Sequence, residues 1–397
     1  MLQEIPLAPP DAILGLTEAF KADLNPRKVN LGVGVYQDDQ GRTPVLASVR
    51  AAEERLLAAQ TSKAYLPIGG SPEYAECVQS LLFGDGHDAV TSGRMRTAQT
   101  PGGTGALRVG ADFLKAFLPE SRVWLSRPTW PNHRGVFSAA RFPVSEYAYY
   151  DEARRCVNAA AMFDALGRVP AGDVVVLHAC CHNPTGADLS GEQWAETARL
   201  ARERSWIPFI DFAYQGLGTG IESDRAGLLA MAREVPYLLV ASSFSKNFGL
   251  YCERTGALSI VAGSNRAADA GLSHVKTAIR VLYSNPPAHG GLLVQTILRD
   301  SALRRQWHGE VDAMRQRIVS MRSALVAGLQ ERGVATDLSF VKQEFGMFSL
   351  LGLSNEQVRF LREERSIYMV TGGRINVAGI CSANIEYLCD SLAEALS

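Results

Sequence analysis

The sequence predicts an α/β fold: a mostly parallel sheet with helices on both faces, plus a smaller α+β domain. Three observations carry this expectation. Short runs rich in Val, Ile and Leu alternate with helical stretches through the middle of the chain, the pattern of strands buried on both faces and joined by helices. The chain has 397 residues, enough for two to three domains at roughly 150 residues each. In its last quarter the alternation gives way to one long proline-free helix and a mixed tail.

Taken in order, the apolar runs are 122–126 (RVWLS), 173–179 (DVVVLHA), 207–212 (IPFIDF), 237–242 (YLLVAS) and 257–261 (ALSIV), with a further strand near 97–100. Between them, 105–118, 190–205 and 224–234 read as helices. In the first, Leu107, Leu114, Phe117 and Leu118 fall near one face. Ser190 followed by Gln193 has the spacing of a capping box. Residues 302–331 form one helix. Residues 345–353 and 367–377 read as strands, with helices at 354–365 and 383–396. Pro6, Pro9, Pro10 and Pro26 make the N-terminal segment a poor helix and suggest an arm packed on something else.

Composition narrows the function classes. The chain is 47% hydrophobic, 20% charged and 8% aromatic, ordinary for a globular protein. Lys plus Arg is 40 and Asp plus Glu is 41, a formal charge of −1. That argues against nucleic-acid binding, which calls for a basic face. One or two placed arginines still suffice for a small anion. The seven cysteines, Cys77, Cys156, Cys180, Cys181, Cys252, Cys381 and Cys389, are odd in number and form no C-x-x-C pair. Free thiols in a reducing cytoplasm are expected, with no metal site. The first ten residues lack the basic and apolar regions of a secretory signal. No run of about 18 apolar residues occurs, so no membrane span is expected.

In sheets of this kind ligands sit beyond the carboxyl ends of the strands, so chemistry is sought just after each run. After 97–100 come Pro101, Gly102, Gly103, Thr104 and Gly105, then a helix. Glycines let backbone approach an anion, and a helix N-terminus offers free N–H groups. A tight strand-to-helix turn is the plain alternative. The segment is neither a P-loop nor a dinucleotide fingerprint, since Arg108 stands where the last glycine belongs. After 173–179 comes Cys180-Cys181-His182-Asn183-Pro184, a strong turn signal. After 207–210 comes Asp211, with Tyr214 three residues on. A buried acid requires a partner: a cationic ligand atom or a helix end. After 237–242 comes Lys246 among small and aromatic residues, either a desolvated amine nucleophile or a surface lysine. Arg254 and Arg374 are available for anions or for structure. Together, an anion cup, a buried acid, an amine and spare arginines at one sheet edge suit a phosphorylated aldehyde with a ring nitrogen, pyridoxal phosphate.

Eight segments carry a stronger signal: 31–36 (LGVGVY), 100–107 (TPGGTGAL), 128–133 (PTWPNH), 178–186 (HACCHNPTG), 211–216 (DFAYQG), 243–251 (SFSKNFGLY), 283–287 (YSNPP) and 373–379 (GRINVAG). In these the chain resembles the aspartate and aromatic aminotransferases, the fold-type I, class I pyridoxal-phosphate transaminases, over essentially its whole length. The resemblance implies a large domain at 44–313 with a mostly parallel seven-stranded sheet sandwiched by helices. It also implies an arm and part of the small domain at 1–43, and a small C-terminal domain at 314–397.

It further implies roles for particular residues. Lys246 would carry pyridoxal 5'-phosphate as a Schiff base, the internal aldimine, and move the proton. Asp211 would keep the pyridine nitrogen protonated. Tyr214 and Asn183 would hydrogen-bond the ring oxygen, and Trp130 would stack on the ring. Gly103, Thr104, Ser243 and Arg254 would hold the phosphate, joined by Tyr65 from the neighbouring subunit of a homodimer. His133 and His178 would support Asp211 and the ring. Arg374 would clamp the substrate α-carboxylate, and Arg280 would bind a distal carboxylate from across the dimer. Gly34 and Phe348 would line the substrate pocket, with Trp130 and Asn183 also at the substrate. Ile13 and Leu14 would pack over the entrance, and Pro128 and Pro184 match cis prolines. The implied activity is ping-pong transfer of an amino group from aspartate, and from aromatic amino acids as well, to 2-oxoglutarate in the cytoplasm. The alternatives are a mainly aromatic transaminase and, from other classes, a pyridoxal-phosphate lyase or decarboxylase or a nucleotide-binding oxidoreductase.

Overall fold

The structure, a computed structural model, describes residues 14–397. The chain divides into two compact units, one of Pro44–Gln316 and one of Met1–Thr43 with Arg317–Ser397. The helix Ser301–Glu331 contributes residues to both.

The larger unit is built on seven strands: β1 (Met95–Pro101), β2 (Val123–Arg127), β3 (Val144–Ala148), β4 (Val174–His178), β5 (Ile207–Phe212), β6 (Leu238–Ser243) and β7 (Thr255–Val261). Their order across the sheet is β1-β7-β6-β5-β4-β2-β3. The pairs from β6 to β3 run parallel, while β7 is antiparallel to both its neighbours. The reason is local. A loop without a crossover helix joins β6 to β7, and only an antiparallel pair closes that way. Every residue of β6 and β7 is buried, which is why both stand out as apolar runs. The strand β3 does not stand out: it lies at the sheet edge with most of its residues only partly covered.

Helix Gly102–Phe117 lies on the sheet through Leu107 and Leu114, which join Val123, Val176, Phe209 and Leu258 in the core. Phe117, read from the sequence as part of that face, is instead 53% exposed. It ends the helix, where the face has turned past the sheet, and rests edge-on against His274. The capping box at Ser190 and Gln193 is present. The bonds preceding Pro128 and Pro184 are both cis.

In the smaller unit, Val29–Asn30 pairs in parallel with Ile367–Tyr368, and β8 (Phe348–Leu350) pairs antiparallel with β9 (Arg374–Asn376). The strand expected over 367–377 is therefore two short pieces. Gly372 and Gly373, both at φ above 70°, turn the chain between them in a conformation that favours glycine. The strand expected over 345–353 likewise shrinks to three residues, because Arg322 rather than a neighbouring strand takes up the carbonyls before it. No helix among the described residues is long and apolar enough to cross a membrane.

Candidate active site

In the larger unit, the strand ends gather four kinds of group. The first is an anion cradle. Helix Gly102–Phe117 starts directly at the end of β1, so its first N–H groups lack helical acceptors. A Cβ on Gly102 would come within 2.5 Å of Arg254 Nη2, and one on Gly103 within 3.1 Å of Ser243 Cβ. Gly102, Gly103, Ser243 and Arg254 therefore share one small space, and Thr104 opens the helix beside them. Gly256, paired with both Thr100 and Ser243, has no room for a side chain either: its Cβ would strike the Gly102 carbonyl carbon at 2.5 Å. Arg254 is held by the Tyr251 carbonyl at 3.1 Å.

The second is a buried acid. Asp211 sits opposite His178 in the β4–β5 register and is 7% exposed. His133 Nε2 donates to its Oδ2 at 3.1 Å. Burial pushes the carboxyl up, but the His133 bond, with His133, His178 and Lys246 nearby, outweighs that and holds it below the usual carboxylate range. His133 in turn meets Thr129 Oγ1 at 2.8 Å, and Thr129 meets His178 Nε2 at 3.2 Å. With His133 neutral this chain has one consistent direction: Thr129 donates to His133 Nδ1 and accepts from His178 Nε2. Burial, then the nearby His133, brings His178 down to about 3 despite Asp211, so His178 is neutral at ordinary pH. Thr129 is the residue that sequence reasoning missed. It lies inside a quoted motif, yet nothing local shows that its hydroxyl joins two histidines.

The third is the amine. Lys246 follows β6, and its Nζ lies 4.8 Å from the centre of the Tyr214 ring. Burial lowers it to about 8, with Asp211 opposing and Arg254 assisting the shift. Its loop is fastened from behind by Trp307, a second missed residue. The Trp307 indole N–H donates to the Asn247 carbonyl at 2.8 Å, and its ring stacks on Phe248.

The fourth is a polar and aromatic lining. Tyr214 and Asn183 are both buried. The Asn183 N–H points to His178 Nδ1 at 3.5 Å. Trp130 stands edge-on to His133 with centroids 5.3 Å apart. Tyr65 and Arg280 are not part of this buried network. Tyr65 is 91% exposed, and Arg280, also exposed, donates to Ser284.

Cys180, Cys181 and Asp224 also cluster, with one potential ligand atom from each within 4.8 Å of the others. The Asp224 oxygens are already filled by N–H groups of Gly216, Gly218, Thr219 and Gly220 and by the Thr219 hydroxyl. That carboxylate ties a loop, and none of the seven cysteines forms a disulfide.

The smaller unit holds a separate cationic site. Arg374 is 3% exposed. It donates to the Gly32 carbonyl, and its guanidinium carbon lies 4.5 Å from the centre of the Phe348 ring. That ring also presses on Gly34, where a Cβ would sit 2.7 Å from Phe348 Cζ. Asn376, two residues on, donates to the carbonyls of Val33 and Val35 at 2.7 Å each and so fixes the segment around Gly34. Ile13 and the side chain of Leu14 lie outside the described residues.

The chain has known relatives. The family model for aminotransferase class I and II matches residues 26–392. The chain is 51% identical over 396 residues to an aspartate aminotransferase of Escherichia coli strain K12, covering 100% of both chains. It is 45% identical over 386 residues to an aromatic-amino-acid aminotransferase of Pseudomonas aeruginosa, covering 97% and 96%. Its structure superposes with a TM-score of 0.98, at 46% identity and 100% coverage of both chains, on the crystal structure of an aromatic-amino-acid aminotransferase from Burkholderia pseudomallei covalently bound to pyridoxal phosphate.

Proposed function

The chain belongs to the class I and II aminotransferase family, and on that premise we propose that it is a pyridoxal-phosphate-dependent transaminase. It moves the amino group of aspartate, and of aromatic amino acids as well, to 2-oxoglutarate in two half-reactions. The observation that supports this best is the pairing of Lys246, an amine brought to about 8 by burial, with a buried Asp211 that keeps its negative charge.

The residues fit the cofactor. At the cradle a Cβ on Gly102 would crowd the Arg254 guanidinium and one on Gly103 would press on Ser243, so the bare backbone there can approach an anion, as a phosphate requires. Asp211 offers the carboxylate that a ring nitrogen needs to stay protonated. When bound, the cofactor supplies an electron sink for the charge left on an amino acid that loses its Cα proton. Lys246 Nζ is the base that takes this proton and returns it, a task suited to a group with pKa near the working pH. His133, held by Thr129, keeps Asp211 ionised. Tyr214 and Asn183 hold the ring oxygen, Trp130 covers the ring face, and Gly103, Thr104, Ser243 and Arg254 hold the phosphate. Arg374 receives the α-carboxylate, its charge confined by Phe348 and Gly34. Its fork suits a bidentate contact, with each charge-assisted bond contributing about 1.5–3 kcal/mol.

Tyr65 and Arg280 serve the neighbouring subunit of a homodimer, Tyr65 at the phosphate and Arg280 at a distal carboxylate. Their exposure, with Val281 beside Arg280 at 83%, supports that reading. The protein acts in the cytoplasm.

The test is the visible spectrum of the protein loaded with pyridoxal phosphate, before and after aspartate or tyrosine. Loss of the lysine-linked band with both amino acids, each yielding its 2-oxo acid, is the expected result. Loss with tyrosine alone makes this a mainly aromatic transaminase. A band that neither substrate changes, or no band at all, overturns the reading.

A further inference from the structure

Helix Ser301–Glu331 carries one arginine that none of the chemistry above uses. Arg322 is 1% exposed, although a charge is costly to bury without partners. Its guanidinium is turned into a bend of backbone. Nη2 donates to the carbonyls of Phe348 at 2.6 Å, Gly346 at 2.8 Å and Phe345 at 3.3 Å. Nη1 donates to the Val341 carbonyl at 3.0 Å and to Glu344 Oε2 at 3.2 Å, and also to Ser349 Oγ. The Ser349 hydroxyl donates to the same Glu344 oxygen. One side chain thus gathers four carbonyls and a carboxylate from 341–348.

The position of this bend matters more than its tidiness. Buried carbonyls need donors: that of Met347 accepts from the Val377 N–H at 2.7 Å, while those of Val341, Phe345, Gly346 and Phe348 take theirs from Arg322. The last of the four carbonyls belongs to Phe348, whose ring has the Arg374 guanidinium over its face and Gly34 at its tip. Gly34 leaves no slack, and β8 is only three residues long. A shift of the Phe348 backbone would therefore move the ring across the Arg374 guanidinium.

We propose that Arg322 is a positioning residue for substrate binding: by holding the Phe348 backbone it fixes the ring that orients the Arg374 guanidinium toward a carboxylate. This rests on the reading of Arg374 given above. The planar fork is essential, because a lysine ammonium keeps the charge but cannot reach both Phe348 and Val341.

The test uses the pyridoxal-phosphate-loaded protein and two variants. Arg322→Lys keeps a cation beside Glu344. Arg322→Met with Glu344→Leu removes both charges together and leaves neither stranded, so one variant remains testable if the other fails to fold. Both are expected to raise KM for aspartate about tenfold with little change in kcat. The affinity for pyridoxal phosphate and the pH at which Lys246 titrates should stay as in the parent protein. A purely structural role would lower the melting temperature and leave KM alone, and that result overturns the proposal. With Phe348→Leu already present, Arg322→Lys should add little further to KM, because both act through one ring; full additivity contradicts the proposal. Arg374→Lys is the control. If it leaves KM unchanged, the reading of Arg374 fails. If it raises KM while Arg322→Lys does not, only the positioning role fails.

Discussion

The larger unit and the smaller one handle charge in opposite ways. Around Asp211 the charge is titratable and shared: the carboxylate, the neighbouring His178 and His182 and an amine brought to about 8 are tuned by burial and by the charges around them. Around Arg374 the charge is permanent. Guanidinium groups are met by carbonyls and by an aromatic face. The difference matches the tasks assigned to each. Moving a proton requires groups poised between two states. Gripping a carboxylate requires a cation that never lets go of its proton.

The sharpest way to break this contrast is to remove the amine. Lys246→Ala should reduce transamination about 10⁴-fold or more, since both nucleophile and base are lost. Binding of the 2-oxo acid through Arg374 should survive, as read by ligand-induced thermal stabilisation. Asp211→Asn comes next. Neutralising the carboxylate should lower kcat by about 10²–10³-fold, the scale of a lost preorganised charge contact, with KM changed far less. Arg374→Lys should show the opposite signature, a KM raised about tenfold to a hundredfold with a smaller effect on kcat.

The smallest effect concerns stability in acid. His178 takes up a proton near 6.5 in the unfolded chain but only near 3 in the folded one. Between those values the folded state binds fewer protons, so stability falls as pH is lowered through that window. His178→Gln should make the fall between pH 6.5 and 4 shallower, by roughly 1.4 kcal/mol per pKa unit of the displaced titration. Urea midpoints across that range would show it, and an unchanged slope would mean that His178 is not held neutral.

The same two regions differ in how much the sequence discloses. In the larger unit each functional side chain lies within a few residues of a buried strand, so Asp211, Lys246 and the Gly102–Thr104 turn can be found by reading on from β5, β6 and β1. The parts that cannot be read there act at a distance. Thr129 joins His133 to His178, 49 residues away, and Trp307 braces Asn247 across 60 residues. In the smaller unit almost nothing is local. Arg374 meets Gly32 across 342 residues, and its strand is too short to show a period. There the arginine is legible only through the likeness of 373–379 to a family motif. Arg322 has no signal at all, since a helix rich in arginine reads as a solvated face until one of them proves to be buried.

Lys246 is the group on which both half-reactions depend. Protein loaded with pyridoxal phosphate, reduced with borohydride and mapped by mass spectrometry, should carry one phosphopyridoxyl group, and it should lie on the peptide containing Lys246. A label on Lys276, Lys63 or any other lysine, or no label on Lys246, would contradict the assignment of the amine and the division of labour built on it.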